Sequence, residues 1–105
     1  MKIIFSPEVR IYLKDLSELL YEKDYFGFEE DAYKYVEDIV LDITNSLPNK
    51  FKKEAPPYFS KYGKYLYYSI FKKNNNTQWY VFFNHEDDVF YIRYIGNNYT
   101  CAQYI

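Results

Sequence analysis

Apolar positions fall at helical spacing through the first half of the chain and at strand spacing through the second. Val9, Leu13, Leu16 and Leu20 recur at i, i+4, i+7 and i+11, which is one face of a helix. Phe28, Ala32, Val36, Ile39, Ile43 and Leu47 repeat the pattern and predict a second helix. Ser6-Pro7-Glu8 reads as the start of the first: an N-cap serine, proline at the first helical position, and an acid facing the dipole. Ahead of it Lys2-Ile3-Ile4-Phe5 reads as a short strand. The first helix fades near Lys23-Asp24, Tyr25-Phe26-Gly27 breaks the pattern, and Pro48 stops the second helix. The short link between the helices predicts an antiparallel hairpin.

Ala55-Pro56-Pro57 predicts an extended linker, and from Tyr58 onward the pattern is that of strands. Lys64 to Phe71 is aromatic and β-branched, with Leu66, Tyr68 and Ile70 expected on one face. Asn74 to Thr77 is a turn. Gln78 to Phe83 is apolar on both faces and predicts a central strand. Asn84 to Asp88 reads as the next turn, and Val89 to Ile95 as a third strand ended by Gly96-Asn97-Asn98. The tail from Tyr99 to Ile105 is either a last helical turn or an edge strand. The fold class expected is therefore α+β: an N-terminal strand and a two-helix hairpin packed on a twisted antiparallel sheet, in one domain spanning residues 1–105.

Composition changes the picture at two points. Aromatic residues make up 24% of the chain, including 15 Tyr and 9 Phe, which suits either half-buried sheet faces or a dedicated aromatic binding face. The net charge of −2 hides an asymmetry. Residues 1–49 carry 5 basic and 11 acidic side chains, whereas residues 50–73 carry 7 lysines against Glu54 alone. That basic segment suits a polyanion, or it keeps a sheet edge soluble and unpaired. With Cys101 as the one cysteine, no disulfide forms within the chain, and a reducing compartment is expected. No apolar run nears the ~18 residues of a membrane span, and the opening residues have too short an apolar core for a signal peptide. Cytoplasm is the expectation, with no membrane association.

The search for chemistry removes most classes. Three glycines provide no phosphate-binding loop, and no Ser/His/Asp set occurs in a local motif. His85 beside Glu86, Asp87 and Asp88 lacks metal-ligand spacing, so neither a metal nor another cofactor is expected. What remains is basic and aromatic. RNA cleavage without a metal needs a base for the 2′-hydroxyl, positive charge at the phosphorane, and an acid for the leaving oxygen. Lys61, Lys64, Lys72, Lys73, Arg93, Tyr99 and Tyr104 form the pool from which such a site is built.

Ile3-Ile4-Phe5-Ser6-Pro7-Glu8 resembles the opening of RelE/ParE-type toxins, which run from a strand through "F-T/S-P-E-A" into a helix. Asp88-Val89-Phe90-Tyr91-Ile92-Arg93-Tyr94-Ile95 is similar to their last core strand, "D-x-V-x-I-x-R-I/V-x". The tail through Tyr104 resembles the segment that carries functional residues in the RelE branch. The resemblance implies a helical hairpin on a twisted antiparallel sheet, and a cytoplasmic toxin neutralised by a cognate antitoxin. In the RelE branch it implies cleavage of ribosome-bound mRNA, and in the ParE branch inhibition of DNA gyrase. The expected catalytic residues are Lys61, Lys64, Arg93 and Tyr104, with Lys72, Lys73 and Tyr99 binding RNA. The chain departs from the family where a His and an Arg often follow the last strand: Gly96 and Asn98 stand there. Its pI of about 5.4 is also lower than the usual basic toxin. The alternative expectation is therefore a catalytically inactive or ParE-like protein-binding module.

Overall fold

A computed structural model describes residues 1–23 and 26–105. Strand β1 (Lys2–Phe5) leads into helix α1 (Pro7–Glu22) and then α2 (Glu29–Ser46). Ser6 caps α1, its Oγ accepting from the Val9 amide at 3.2 Å, with Pro7 in the first turn as the sequence predicts. Helix α2 ends where Pro48 removes an amide donor, in a single 3-10 turn, Leu47–Asn49. Phe28 was expected on the buried face of α2. It lies instead at the N-cap position and is 73% exposed, because the helix begins one residue after it. Of the predicted break, Tyr25 lies outside the described residues.

Five strands form one sheet in the order β1-β5-β4-β3-β2. Here β2 is Lys53–Glu54, β3 Tyr67–Lys72, β4 Gln78–Glu86 and β5 Val89–Asn97. The meander β2 to β5 is antiparallel, but β1 pairs with β5 in parallel, Ile3 opposite Phe90 and Phe5 opposite Ile92. The sheet is therefore mixed, because the helical hairpin returns the chain to the far edge before the meander begins. Three local expectations change. Residues 57–62 form a 3-10 helix, Pro57–Tyr62, not strand, and the short strand β2, not expected from the sequence, lies just ahead of the Ala55-Pro56-Pro57 linker. Asn84, His85 and Glu86 belong to β4, paired with Tyr91, Phe90 and Val89, so the turn shrinks to Asp87 and Asp88. Asp87 makes that tight turn with φ 53°, a conformation that Asp tolerates better than most residues. The tail takes the helical alternative: α3 (Asn98–Cys101) followed by the 3-10 turn Ala102–Tyr104.

Alternation along the strands divides the core into two layers. On the helix side, Trp79, Val81 and Phe83 of β4 and Phe90, Ile92 and Ile95 of β5 pack with Val9, Leu13, Leu16, Val36, Ile39, Ile43 and Leu47. The Trp79 indole donates to the Tyr35 hydroxyl at 3.1 Å and ties α2 to the sheet. On the other face Tyr68, Tyr80 and Phe82 pack with Phe59, Leu66 and Cys101. That second layer is covered by the 3-10 helix and the C-terminal turn, with Phe59 stacked on Phe82 at 4.3 Å. Full burial of such side chains contributes about 1.5–3 kcal/mol each. Leu66 and Tyr68 are buried together as predicted, whereas Ile70 at the edge of the layer is 37% exposed. Among the described residues, no helix is long and apolar enough to cross a membrane.

Candidate functional site

Two of the functional candidates, Lys61 and Tyr104, meet where the 3-10 helix and the C-terminal turn cross the second face of the sheet. Pro57 starts the 3-10 helix, and its three-residue repeat places Tyr58 and Lys61 in register. The Lys61 ammonium lies 4.0 Å from the centre of the Tyr58 ring and 5.5 Å from that of Tyr62. Tyr104, carried in by the C-terminal turn, stacks on Tyr58 with ring centres 3.6 Å apart and an interplanar angle of 14°. Tyr58 also meets Phe59 edge-on at 5.0 Å, and Phe59 is anchored in the second layer. Next in the row, Tyr62 stacks on Tyr94 of β5 at 3.9 Å.

This arrangement sets the two phenols apart. Hydrogen bonding from Lys61, and then from Tyr104, lowers the Tyr58 phenol below its ordinary value. The contact with Tyr58 raises Tyr104, and the separate contact of Lys61 with Tyr58 raises Lys61. The cluster therefore sets two stacked phenols beside one ammonium, and the two phenols titrate as a pair. Burial pushes up Tyr94 and Cys101, so neither is disposed to ionise.

Arg93 and Lys64 form a second group joined by Asn84. The Arg93 Nε donates to Asn84 Oδ1 at 3.0 Å, and Asn84 Nδ2 donates to the Lys64 carbonyl at 2.8 Å. The Arg93 guanidinium lies over the Tyr91 ring, 4.4 Å from its centre. Arg93 is also the extra residue of a β-bulge. Phe82 pairs with Tyr94 but Phe83 pairs with Ile92, which leaves Arg93 without an opposite partner. Gly63 sits against it. At φ 156° and ψ 160° Gly63 occupies a region essentially restricted to glycine, and a Cβ there would lie 3.7 Å from Arg93 Cγ.

The remaining candidates lie elsewhere. Lys72 and Lys73 are at the far end of β3, roughly 17 Å along the strand from Tyr67. The Lys73 ammonium lies over Tyr35 of α2, on the helix side, 5.0 Å from the ring centre. Tyr99 donates its hydroxyl to the Asn76 carbonyl at 2.9 Å and pins α3 to the β3–β4 turn. The structure thus brings Lys61 and Tyr104 together, ties Arg93 to the Lys64 backbone through Asn84, and places Lys72, Lys73 and Tyr99 around the β3–β4 turn.

Gly96 and Asn98, where the resembled family often keeps His and Arg, have structural work here. A Cβ on Gly96 would fall 2.5 Å from Cys101 Sγ. Asn98 Oδ1 accepts from the Gln78 amide at 2.9 Å. His85 stacks on Phe90 at 3.9 Å, and its Nδ1 accepts from the Lys52 ammonium at 2.9 Å, which assigns the ring proton to Nε2. Among the described residues, no three His, Cys, Asp or Glu side chains are grouped to hold a metal ion.

Sequence reasoning missed Tyr58 and Asn84. The signal for Tyr58 is present in Pro57-Tyr58-Phe59-Ser60-Lys61, a proline-started turn with Tyr and Lys three apart, once that segment is read as 3-10 helix. Asn84 gives no such signal, since its role depends on a pairing register. Comparison with protein-family models, curated proteins and solved structures finds no match to this chain.

Proposed function

We propose that this chain is the toxin-like component of a toxin–antitoxin pair, acting in the cytoplasm as a metal-independent endoribonuclease on ribosome-bound mRNA and neutralised by a cognate antitoxin. The observation that carries the catalytic part is the Tyr58–Lys61–Tyr104 cluster on the sheet face opposite the helices. The toxin assignment itself rests on the resemblance of the opening segment and the last core strand to RelE/ParE-type toxins. In the proposed reaction Tyr58, as phenolate, takes the proton of the 2′-hydroxyl. The 2′-oxygen bonds to phosphorus, the bond to the 5′-oxygen breaks, and Tyr104 gives its proton to that oxygen. Lys61 balances the charge that develops on the phosphoryl oxygens. The products are a 2′,3′-cyclic phosphate and a 5′-hydroxyl.

Induced expression in a bacterial host tests the reading. Growth arrest is expected from the wild type, with relief by Lys61→Ala, Arg93→Ala or Tyr104→Phe at equal soluble protein. Normal growth with intact wild-type protein counts against it. A second reading, a protein-binding module of ParE-like or degenerate type, is favoured by the structural employment of Gly96 and Asn98. On that reading arrest, or co-purification with the product of a neighbouring short gene, survives all three substitutions.

A further inference from the structure

Tyr65 is the most unusual residue of the fold. Its φ is 57°, a left-handed conformation in which a bulky side chain is an outlier, and its side chain is 90% exposed. The unfavourable backbone is therefore not compensated by burial of the ring. It is imposed by the neighbours. Leu66 is buried in the second layer and its carbonyl accepts from the Ala55 amide at 2.9 Å. Asn84 Nδ2 holds the Lys64 carbonyl at 2.8 Å and reaches the Tyr65 carbonyl at 3.5 Å. The ring stands between two hollows. One, of about 480 Å³, runs along Pro56, Pro57 and Ser60. The other, of about 730 Å³, is lined by Asn84, His85, Glu86, Tyr91 and Arg93.

The larger hollow combines what a single nucleotide needs. Tyr65 offers an exposed aromatic face. Arg93 is planar, braced on Tyr91 and tied through Nε to Asn84, so its Nη groups remain as donors toward a phosphate. Glu86 and Asp87 on the rim disfavour phosphate on their side and offer acceptors for amino groups of a base edge. One side chain, Asn84, positions both the ring-bearing loop and the guanidinium, so the strained tyrosine and the bulged arginine are parts of one construction.

We infer that this hollow is a nucleotide subsite for single-stranded RNA, in which one unpaired base stacks on Tyr65 and its phosphate meets Arg93. The inference rests on the reading of the chain as acting on RNA, and it names how that RNA is held. Stacking on an aromatic platform accepts any base and excludes duplex, in which the bases are already stacked.

The test is binding of a short 2′-O-methyl RNA, which resists cleavage, to the full chain by fluorescence anisotropy. A matched oligonucleotide with abasic positions is measured alongside. Tyr65→Gly is the variant of choice, because glycine accepts φ 57° without strain and the ring alone is lost. Its melting temperature is expected to equal or exceed that of the wild type. The wild type should bind the base-containing RNA about 10-fold or more tightly than the abasic one, from the usual strength of base–aromatic stacking. Tyr65→Gly should bind both equally. Equal binding of the base-containing RNA by wild type and variant overturns the subsite, as does a wild type that ignores the missing bases or binds neither oligonucleotide. The two readings separate cleanly. Tyr65-dependent binding without cleavage of ordinary RNA keeps the subsite and removes the nuclease, whereas cleavage with Tyr65-independent binding does the reverse.

Discussion

At the scale of single residues, the cluster is defined by a stacked pair of phenols beside one ammonium. Tyr58 is drawn below the ordinary phenol value by Lys61 and then Tyr104, and Tyr104 is raised above it by Tyr58. If Tyr58 is the base, cleavage rises with pH as its proton is lost, on a limb below the ordinary tyrosine range. If Tyr104 is the acid, cleavage falls only above that range. The two limbs belong to the stacked pair as a unit. Lys61→Ala removes the largest cause of the Tyr58 shift, so the rising limb moves to higher pH while the maximal rate drops. A pH–rate profile of both proteins checks this, and an unmoved rising limb contradicts the assignment of Tyr58. Glycine gives a second prediction at this scale. Gly96→Ala drives a methyl into Cys101 Sγ, Tyr94 Oη and Thr100 Oγ1, each within 3.2 Å of the added carbon. Overpacking of this kind costs about 1–3 kcal/mol. Denaturant unfolding is expected to show that loss, and equal stability would mean that the C-terminal turn is free to shift.

At the scale of elements, the bulge in β5 decides which residues face which layer. Phe90 and Ile92 are two apart on the helix side, and the next residue on that side is Ile95, three further on. An uninterrupted strand would have sent Tyr94 to the helices. The bulge sends it to the second layer, where it stacks on Tyr62. The sequence reads Val89 to Ile95 as a plain strand, because a bulge depends on the partner strand and leaves no local signal. The same limit explains the other departures. Helices α1 and α2 were legible because 3.6-residue periodicity and the Ser6-Pro7-Glu8 cap are local signals. Strand β2 was not, since a two-residue edge strand has no pattern and is defined by its pairing with Tyr67 and Tyr68. The 3-10 helix was hidden by aromatic residues that also suit strands. Of the site, Lys61 and Tyr104 were legible as residue types, and their meeting at Tyr58 was not. Capping gives the prediction for this scale. Ser6→Ala removes the acceptor for the Val9 amide and is expected to cost about 1 kcal/mol without moving the sheet. An equilibrium unfolding curve checks the size, and an unchanged one-dimensional NMR pattern of the aromatic residues checks the sheet.

At the scale of the whole molecule, charge is segregated. The acidic side chains are concentrated in residues 1–49, which form the helical layer, and the lysines in residues 50–73, which run from the end of α2 through β2 and the 3-10 helix to β3. The net charge of −2 thus hides an acidic helical segment and a basic segment at the entry to the sheet. On the proposed function, binding to RNA weakens steeply with added salt, and the slope falls when Lys61 or Lys64 is neutralised. Titrations at several ionic strengths measure this, and a salt-independent affinity would contradict an approach through the basic segment. The hinge between fold and function is the second layer. Phe59, buried against Phe82, holds the 3-10 helix whose neighbouring residues form the site. The most direct test of the central claim is the fate of mRNA in a translation reaction containing the purified protein and its Tyr104→Phe variant. The account predicts scission by the wild type leaving 2′,3′-cyclic phosphate ends, slowed about 100-fold or more by loss of the general acid. Intact mRNA with the wild type, or equal scission by the variant, would contradict it.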